Sequence, residues 1–259
     1  MGSTIKTISK HTKYSDIFIL GGIMEQKIIR IDLEGVNCYL CKAGDSFILI
    51  DTGGHLTMDK QYTDRRDKLI NKLEVVGCRP GNLKLIVLTH GDSDHTANAA
   101  FLRERYESKI AMHSSDVELV ANPTLEKVME NCKYKSLVYK VVFKLMKNPM
   151  TRMTLKVIND FEKFNPDILL NEGDSLMEYG FDVKVLHTPG HTLGSIAVIT
   201  KDGELISGDT FANIDKPATA PNASDFLSLH TSADRLKAMN IKMVYPGHGA
   251  PFEFKQTGL

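Results

Sequence analysis

Two stretches of the chain carry the same order of apolar and polar positions. "CYLCKAGDSFILIDTG" (38–53) sets an apolar run, a Gly-Asp turn, a second apolar run and then Asp-Thr; "IAVITKDGELISGDTF" (196–211) repeats that order around an Asp-Gly turn. Short apolar runs on either side of such a turn predict β-hairpins. Asp51 and Asp209 fall at the same place in each. A helix-period segment follows each hairpin, "DRRDKLINKLEVV" (64–76) and "DFLSLHTSADRLKAM" (225–239). Each half then ends on a short strand-like run into a histidine, "LKLIVLTHG" and "IKMVYPGHG". The step from Asp51 to His90 and the step from Asp209 to His248 are both 39 positions. The echo predicts an α/β fold, a four-layer αββα sandwich of two similar halves, with Asp51, His90, Asp209 and His248 meeting at the strand ends.

Residues 121–164 break the pattern and predict a helical insertion, a cap or lid, within one domain spanning 1–259. From Lys133 to Lys156 there are seven basic residues and no acidic one. "SLVYKVVFKLMK" puts Lys140, Lys144 and Lys147 on one stripe and surrounds it with an apolar arc too broad for a helix with one face on a small core. Part of that arc either completes the core or meets a substrate, a second subunit or a membrane surface. A lid is favoured over a membrane contact, and Val142 and Met146 are the expected wall of a substrate pocket, with methionines suited to an adaptable surface.

Composition narrows the picture further. Lys plus Arg equals Asp plus Glu at 32 each, so no global charge draws the chain to nucleic acid or a membrane. The apolar stretch "IFILGGIM" is too short to span a bilayer and has no basic region before it, so the expectation is a cytoplasmic protein without stable membrane anchoring. A small-molecule substrate is the expected partner, and a homodimer stays open. The C-x-x-C of Cys38 and Cys41 has no second pair beside it and reads as two half-buried strand residues rather than a redox or zinc pair.

The chemistry concentrates in "LTHGDSDHTANAAFL" (88–102). His90, Asp92, Asp94 and His95 offer four metal donors from one loop; "LHTPGHTLGS" adds His187 and His191, "SGDT" adds Asp209 and "YPGHG" adds His248. Imidazole nitrogen and carboxylate oxygen on rigid strand ends are what a divalent metal site needs. No Ser-His-Asp arrangement and no phosphate-binding glycine loop accompanies them.

The ordered set "THGDSDH", "HTPGHTLGS", "SGDT" and "YPGHG", preceded by "NCYL" and "IDTGG", resembles the metallo-β-lactamase fold superfamily, most closely its glyoxalase II-like hydrolase branch. The resemblance covers roughly residues 28–252 apart from the insertion. It implies that His90 and His191 bind a first metal, that Asp94, His95 and His248 bind a second, and that Asp209 bridges them. Asp51 then stands behind the site and orients a ligand, and His187 takes a similar supporting place. Asp92 departs from the family's His-x-His-x-Asp-His. As a ligand of the first metal it makes the set three carboxylates and four histidines, neutralises the charge left by two divalent ions and a hydroxide, and shifts preference from zinc toward iron or manganese; the alternative is that it caps the helix starting near Thr96 or hydrogen-bonds a ligand. The implied activity is hydrolysis of an ester, thioester, lactone or phosphoester by a bridging hydroxide on two divalent ions, with Asp94 moving a proton. The alternative is a non-haem iron redox enzyme on the same fold. Two other readings arise: an idle module whose basic insertion binds a membrane or partner, and glutathione thioesters as substrates. The full donor set speaks against the first. The second lacks the Arg/Gly-rich sequence expected after Asp209. His55, His113, His230 and His11 carry no ligand expectation.

Overall fold

The computed structural model describes residues 26–56, 59 and 61–258. "IFILGGIM" and His11 lie outside the described residues. The first half contains β1 (Gln26–Asp32), β2 (Asn37–Ala43), β3 (Ser46–Ile50), α1 (Arg66–Val75), β4 (Leu83–Val87), α2 (Ser93–Thr96), α3 (Ala99–Tyr106), β5 (Lys109–His113) and α4 (Val117–Ala121). The insertion follows as α5 (Leu125–Glu130), β6 (Lys133–Tyr134) and α6 (Leu137–Asp160), before β7 (Ile168–Leu170). The second half contains β8 (Val183–His187), β9 (Ile196–Thr200), β10 (Glu204–Asn213), β11 (Pro217–Thr219), β12 (Asn222–Ala223), α7 (Phe226–Lys237), β13 (Met243–Gly249) and β14 (Phe252–Glu253).

Two sheets result, one ordered β1-β2-β3-β4-β5-β7 and the other β14-β13-β10-β9-β8 with β11 beside β10. Three apolar interfaces stack them into four layers. Leu69 and Leu73 of α1 and Leu102 of α3 pack on Leu40, Leu49 and Ile86 of the first sheet. Ile48, Ile50 and Val87 meet Val185, Val198 and Ile206 between the sheets. Ala233 and Leu236 of α7 cover Ala197, Leu205 and Val244 on the far side. This is the expected αββα sandwich.

The sequence echo is an echo of topology. β2 and β3 form an antiparallel hairpin, α1 crosses over, and β4 returns parallel to β3; β9 and β10 form a hairpin, α7 crosses over, and β13 returns parallel to β10. Cys38 and Cys41 are fully buried rather than half-buried. Cys38 faces the helix layer and Cys41 the second sheet, because a strand between two covered faces has no solvent side. Between α5 and α6, β6 pairs antiparallel with β12, Asn222 opposite Tyr134, and fastens this segment to the second half.

Candidate metal centre

β3 ends at Ile50, and the next residue turns sharply. Asp51 takes the left-handed conformation (φ 61°), which costs a non-glycine residue energy and persists only where the surroundings hold it. Its carboxylate is held three ways: one oxygen accepts the Thr89 amide (2.8 Å), the other the Thr89 hydroxyl (2.8 Å) and the Nδ1–H of His95 (2.8 Å). Thr89, having donated its proton to Asp51, accepts from His90 Nδ1 at 3.0 Å. Asp51 thus orients His95 directly and His90 through Thr89.

The other two imidazoles are held the same way. His191 Nδ1 donates to the Asn222 carbonyl (3.1 Å), and His248 Nδ1 to the Gly35 carbonyl. With every Nδ1 engaged from behind, the four Nε2 atoms face inward, where each offers a metal a lone pair once it is deprotonated. Three carboxylates meet them. Asp92 Oδ2 lies 3.1 Å from His191 Nε2 and 3.8 Å from His90 Nε2. Asp94 Oδ2 lies 3.4 Å from His248 Nε2 and 4.0 Å from His95 Nε2. Asp209 reaches His95, His191 and His248 at 3.5, 3.7 and 3.2 Å. The donors fall into three overlapping groups: His90, His95, Asp209; His90, Asp92, His191; and Asp94, His95, His248.

Three observations fit this cluster to divalent metal. Among the described residues the buried atoms His90 Nε2 and Asp209 Oδ1 have no hydrogen-bond partner, and an orphaned buried polar atom demands a reason. His95 Nε2 and His248 Nε2 face each other at 3.4 Å and, with Asp94, lie close enough to share one cation. Gly247 makes room: a Cβ there would collide with Asp209 Oδ1 and sit 2.6 Å from His95 Cε1.

Electrostatics follow the same map. Burial, reinforced by His95 and His191, lowers His90 to about 4. Burial would also lower His95, but Asp209, Asp51 and Asp94 outweigh it and raise the group to about 9. For His191 burial is overcome by Asp92 and Asp209, again to about 9. Burial would raise Asp92, and the His191 hydrogen bond and neighbouring imidazoles pull it to about 2 instead.

Asp92 does not cap a helix. It occupies the position before α2, but its side chain makes no cap hydrogen bond; Oδ2 faces the imidazoles and Oδ1 accepts from Asn131 Nδ2 at 3.2 Å. Asn131 comes from the end of α5. A closed circuit results: Asn131 to Asp92, Asp92 to His191, His191 to the Asn222 carbonyl, and Asn222 Nδ2 back to the Asn131 carbonyl at 3.4 Å. His187 supports a loop rather than a ligand. Its Nε2 bonds the Leu193 carbonyl, two residues past His191, and its ring stacks on His113 at 4.1 Å.

Two residues outside the sequence expectation hold the site together. Asp116, buried, accepts from Gly91 N, Gly194 N and the Thr192 hydroxyl, and so joins the His90 loop to the His191 loop. Its only signal in the sequence is an aspartate just after β5. Asn131 has none, since an isolated asparagine in a helix end carries no motif.

The expected pocket wall lies apart from the cleft beside the ligand loop. An apolar cleft of about 50 Å³ adjoins the ligand loop at Gly91 and Ser93, with His55 at its edge, and α6 contributes Met153, Val157 and Ile158, with Phe161 just beyond its end. Val142 and Met146 do not line it, and Val142 is half exposed. The reason is where α6 is fastened: Asp160 accepts from the Tyr62 hydroxyl at 2.7 Å and Lys156 lies over the Tyr62 ring, so the C-terminal half of the helix is the half that covers the cleft.

Comparison with known proteins gives the family. The family model described as the metallo-beta-lactamase superfamily matches residues 31–248. The hydroxyacylglutathione hydrolase GloC of Haemophilus influenzae is 26% identical over 233 residues, 88% of this chain and 92% of the relative. The beta-lactamase-like protein 2 homolog of Drosophila melanogaster is 24% identical across 85% of this chain, which spans 61% of that protein's length. A solved metallo-beta-lactamase family protein from Thermus thermophilus superposes with TM-score 0.64 at 22% identity, covering 90% of this chain and 76% of its own, a likeness of fold.

Proposed function

Because the chain belongs to the metallo-β-lactamase superfamily, we propose that it is a metal-dependent hydrolase holding two divalent ions, acting on an ester, thioester, lactone or phosphoester. The observation that carries this reading is the convergence of four imidazole Nε2 atoms and three carboxylates on one place, each imidazole held from behind by a protein acceptor. Divalent ions bound there supply Lewis acidity and an acidified water. His90, Asp92 and His191 would hold one ion and Asp94, His95 and His248 the other, with Asp209 within reach of both groups. Asp51 fixes the His95 ring, the kind of support that sets ligand orientation in metal sites. Asp94, partly open to solvent, would move a proton between the attacking water and the leaving group.

The hydroxyacylglutathione hydrolase relative supports a thioester among the substrate classes. The segment "TFANIDKPATAPNASD" after Asp209 offers no Arg/Gly-rich element for a glutathione moiety, and the cleft beside Gly91 is walled by apolar side chains. A substrate with a small apolar acyl part suits that wall better. A second reading, non-haem iron redox chemistry, draws support from Asp92, an oxygen donor that favours iron or manganese over zinc.

Metal analysis of protein purified with zinc, iron and manganese supplied should return about two ions per chain, and Asp209→Ala should lose both metal and hydrolysis of an ester and thioester panel. Less than about one ion per chain, or full activity in Asp209→Ala, sinks the assignment. Oxygen consumption by the iron-loaded protein, with no hydrolysis, would select the redox reading.

A further inference from the structure

Among the described residues, nothing covers one face of the N-terminal half of α6. Leu137, Val138 and Leu145 are 76%, 70% and 77% exposed, and Val141 and Val142 about half. Lys140, Lys144 and Lys147, all exposed, run alongside them. Pro149 divides this half from the C-terminal half that lies over the cleft. A contiguous exposed apolar patch of this kind marks a contact surface.

The charge around the patch decides among occupants. The stretch 133–156 carries seven cations and no anion, in a chain whose net charge is zero. A second copy meeting the same face across a two-fold axis would set one lysine row against another, like charges in contact. An anionic bilayer satisfies both components: the aliphatic side chains enter the acyl boundary and the ammonium groups meet the headgroup phosphates. Apolar insertion and electrostatic attraction to anionic lipid together set the strength of such interfacial binding. Among the described residues no helix is long and apolar enough to cross a membrane, so α6 would lie in the surface plane.

We propose that the exposed face of α6, Leu137 to Lys147, is a docking surface for anionic phospholipid membranes. The test is cosedimentation of the full, metal-loaded chain with vesicles of phosphatidylcholine alone and of phosphatidylcholine mixed with phosphatidylglycerol. Binding should require phosphatidylglycerol and weaken with salt. Leu137→Ser combined with Leu145→Ser should abolish it. Replacing Lys140, Lys144 and Lys147 with glutamine should weaken it about 100-fold, counting each lysine at its usual worth near an anionic surface. All five side chains are exposed, and circular dichroism should confirm that the variants stay folded. Absence of binding at low salt overturns the proposal, as does equal binding to neutral vesicles. So does a wild-type dimer in sedimentation equilibrium that Leu137→Ser with Leu145→Ser dissolves, since the face would then belong to a second copy.

Discussion

Asp92 uses its two oxygens differently, and that difference is testable. Oδ2 faces His191 and His90, while Oδ1 is held by the Asn131 amide. Asn131 therefore decides which oxygen turns inward. Removing such a support typically costs about 10–100-fold in metal affinity, so Asn131→Ala should weaken binding at the site of His90 and His191 by about that factor. An imidazole at position 92 has no second oxygen to restrain. In the Asp92→His background, which should also raise relative zinc preference, Asn131→Ala should cost little. Chelator competition on the four proteins measures the coupling. Equal losses in both backgrounds would show that Asn131 acts only by anchoring the insertion. The donor set itself was legible from residue types and motif order. The Asn131 contact was not, because a hydrogen bond across 39 positions has no local pattern.

At the scale of elements, α6 does two jobs with its two halves. The apolar arc read from its sequence is real, but periodicity cannot say which part of an arc meets the body of the protein. Distant residues decide that, the hydroxyl and ring of Tyr62 above all. The cleft therefore lies under Met153, Val157 and Ile158 instead of Val142 and Met146. Val157→Ala should raise KM about tenfold for an acyl substrate fitted to the present cleft and favour a bulkier one, since a pocket methyl group counts for about that much in selectivity. Val142→Ala should leave KM where it is, and metal content should be unchanged in both. A KM that moves with Val142 and not with Val157 would return the pocket to the N-terminal half.

Over the whole molecule, the repeated hairpin, helix and strand set the architecture because each half must bury the same kind of faces. What joins the halves left no such trace: Asn37 Nδ2 reaches the Pro246 and Gly249 carbonyls, Tyr39 bonds Pro246, and Asp116 links the His90 and His191 loops. These contacts bring donors from both halves to one place, and the stability of the whole should register it. In the metal-free chain, carboxylates raise His95 and His191 from 6.5 to about 9. Their stabilising contribution is fully present below about pH 6.5 and is lost as pH rises through about 9. His90 shifts the other way, to about 4, so its contribution changes only below 6.5. Chelated protein should therefore lose stability between about pH 6.5 and 9. Metal requires the same imidazoles deprotonated, so its binding strengthens over that interval and metal-loaded protein should hold or gain stability. Urea unfolding with chelator and with saturating metal, taken across the interval, should give slopes of opposite sign. Parallel slopes would mean that His95 and His191 do not hold the metal, and the joining of the two halves would then serve the fold alone.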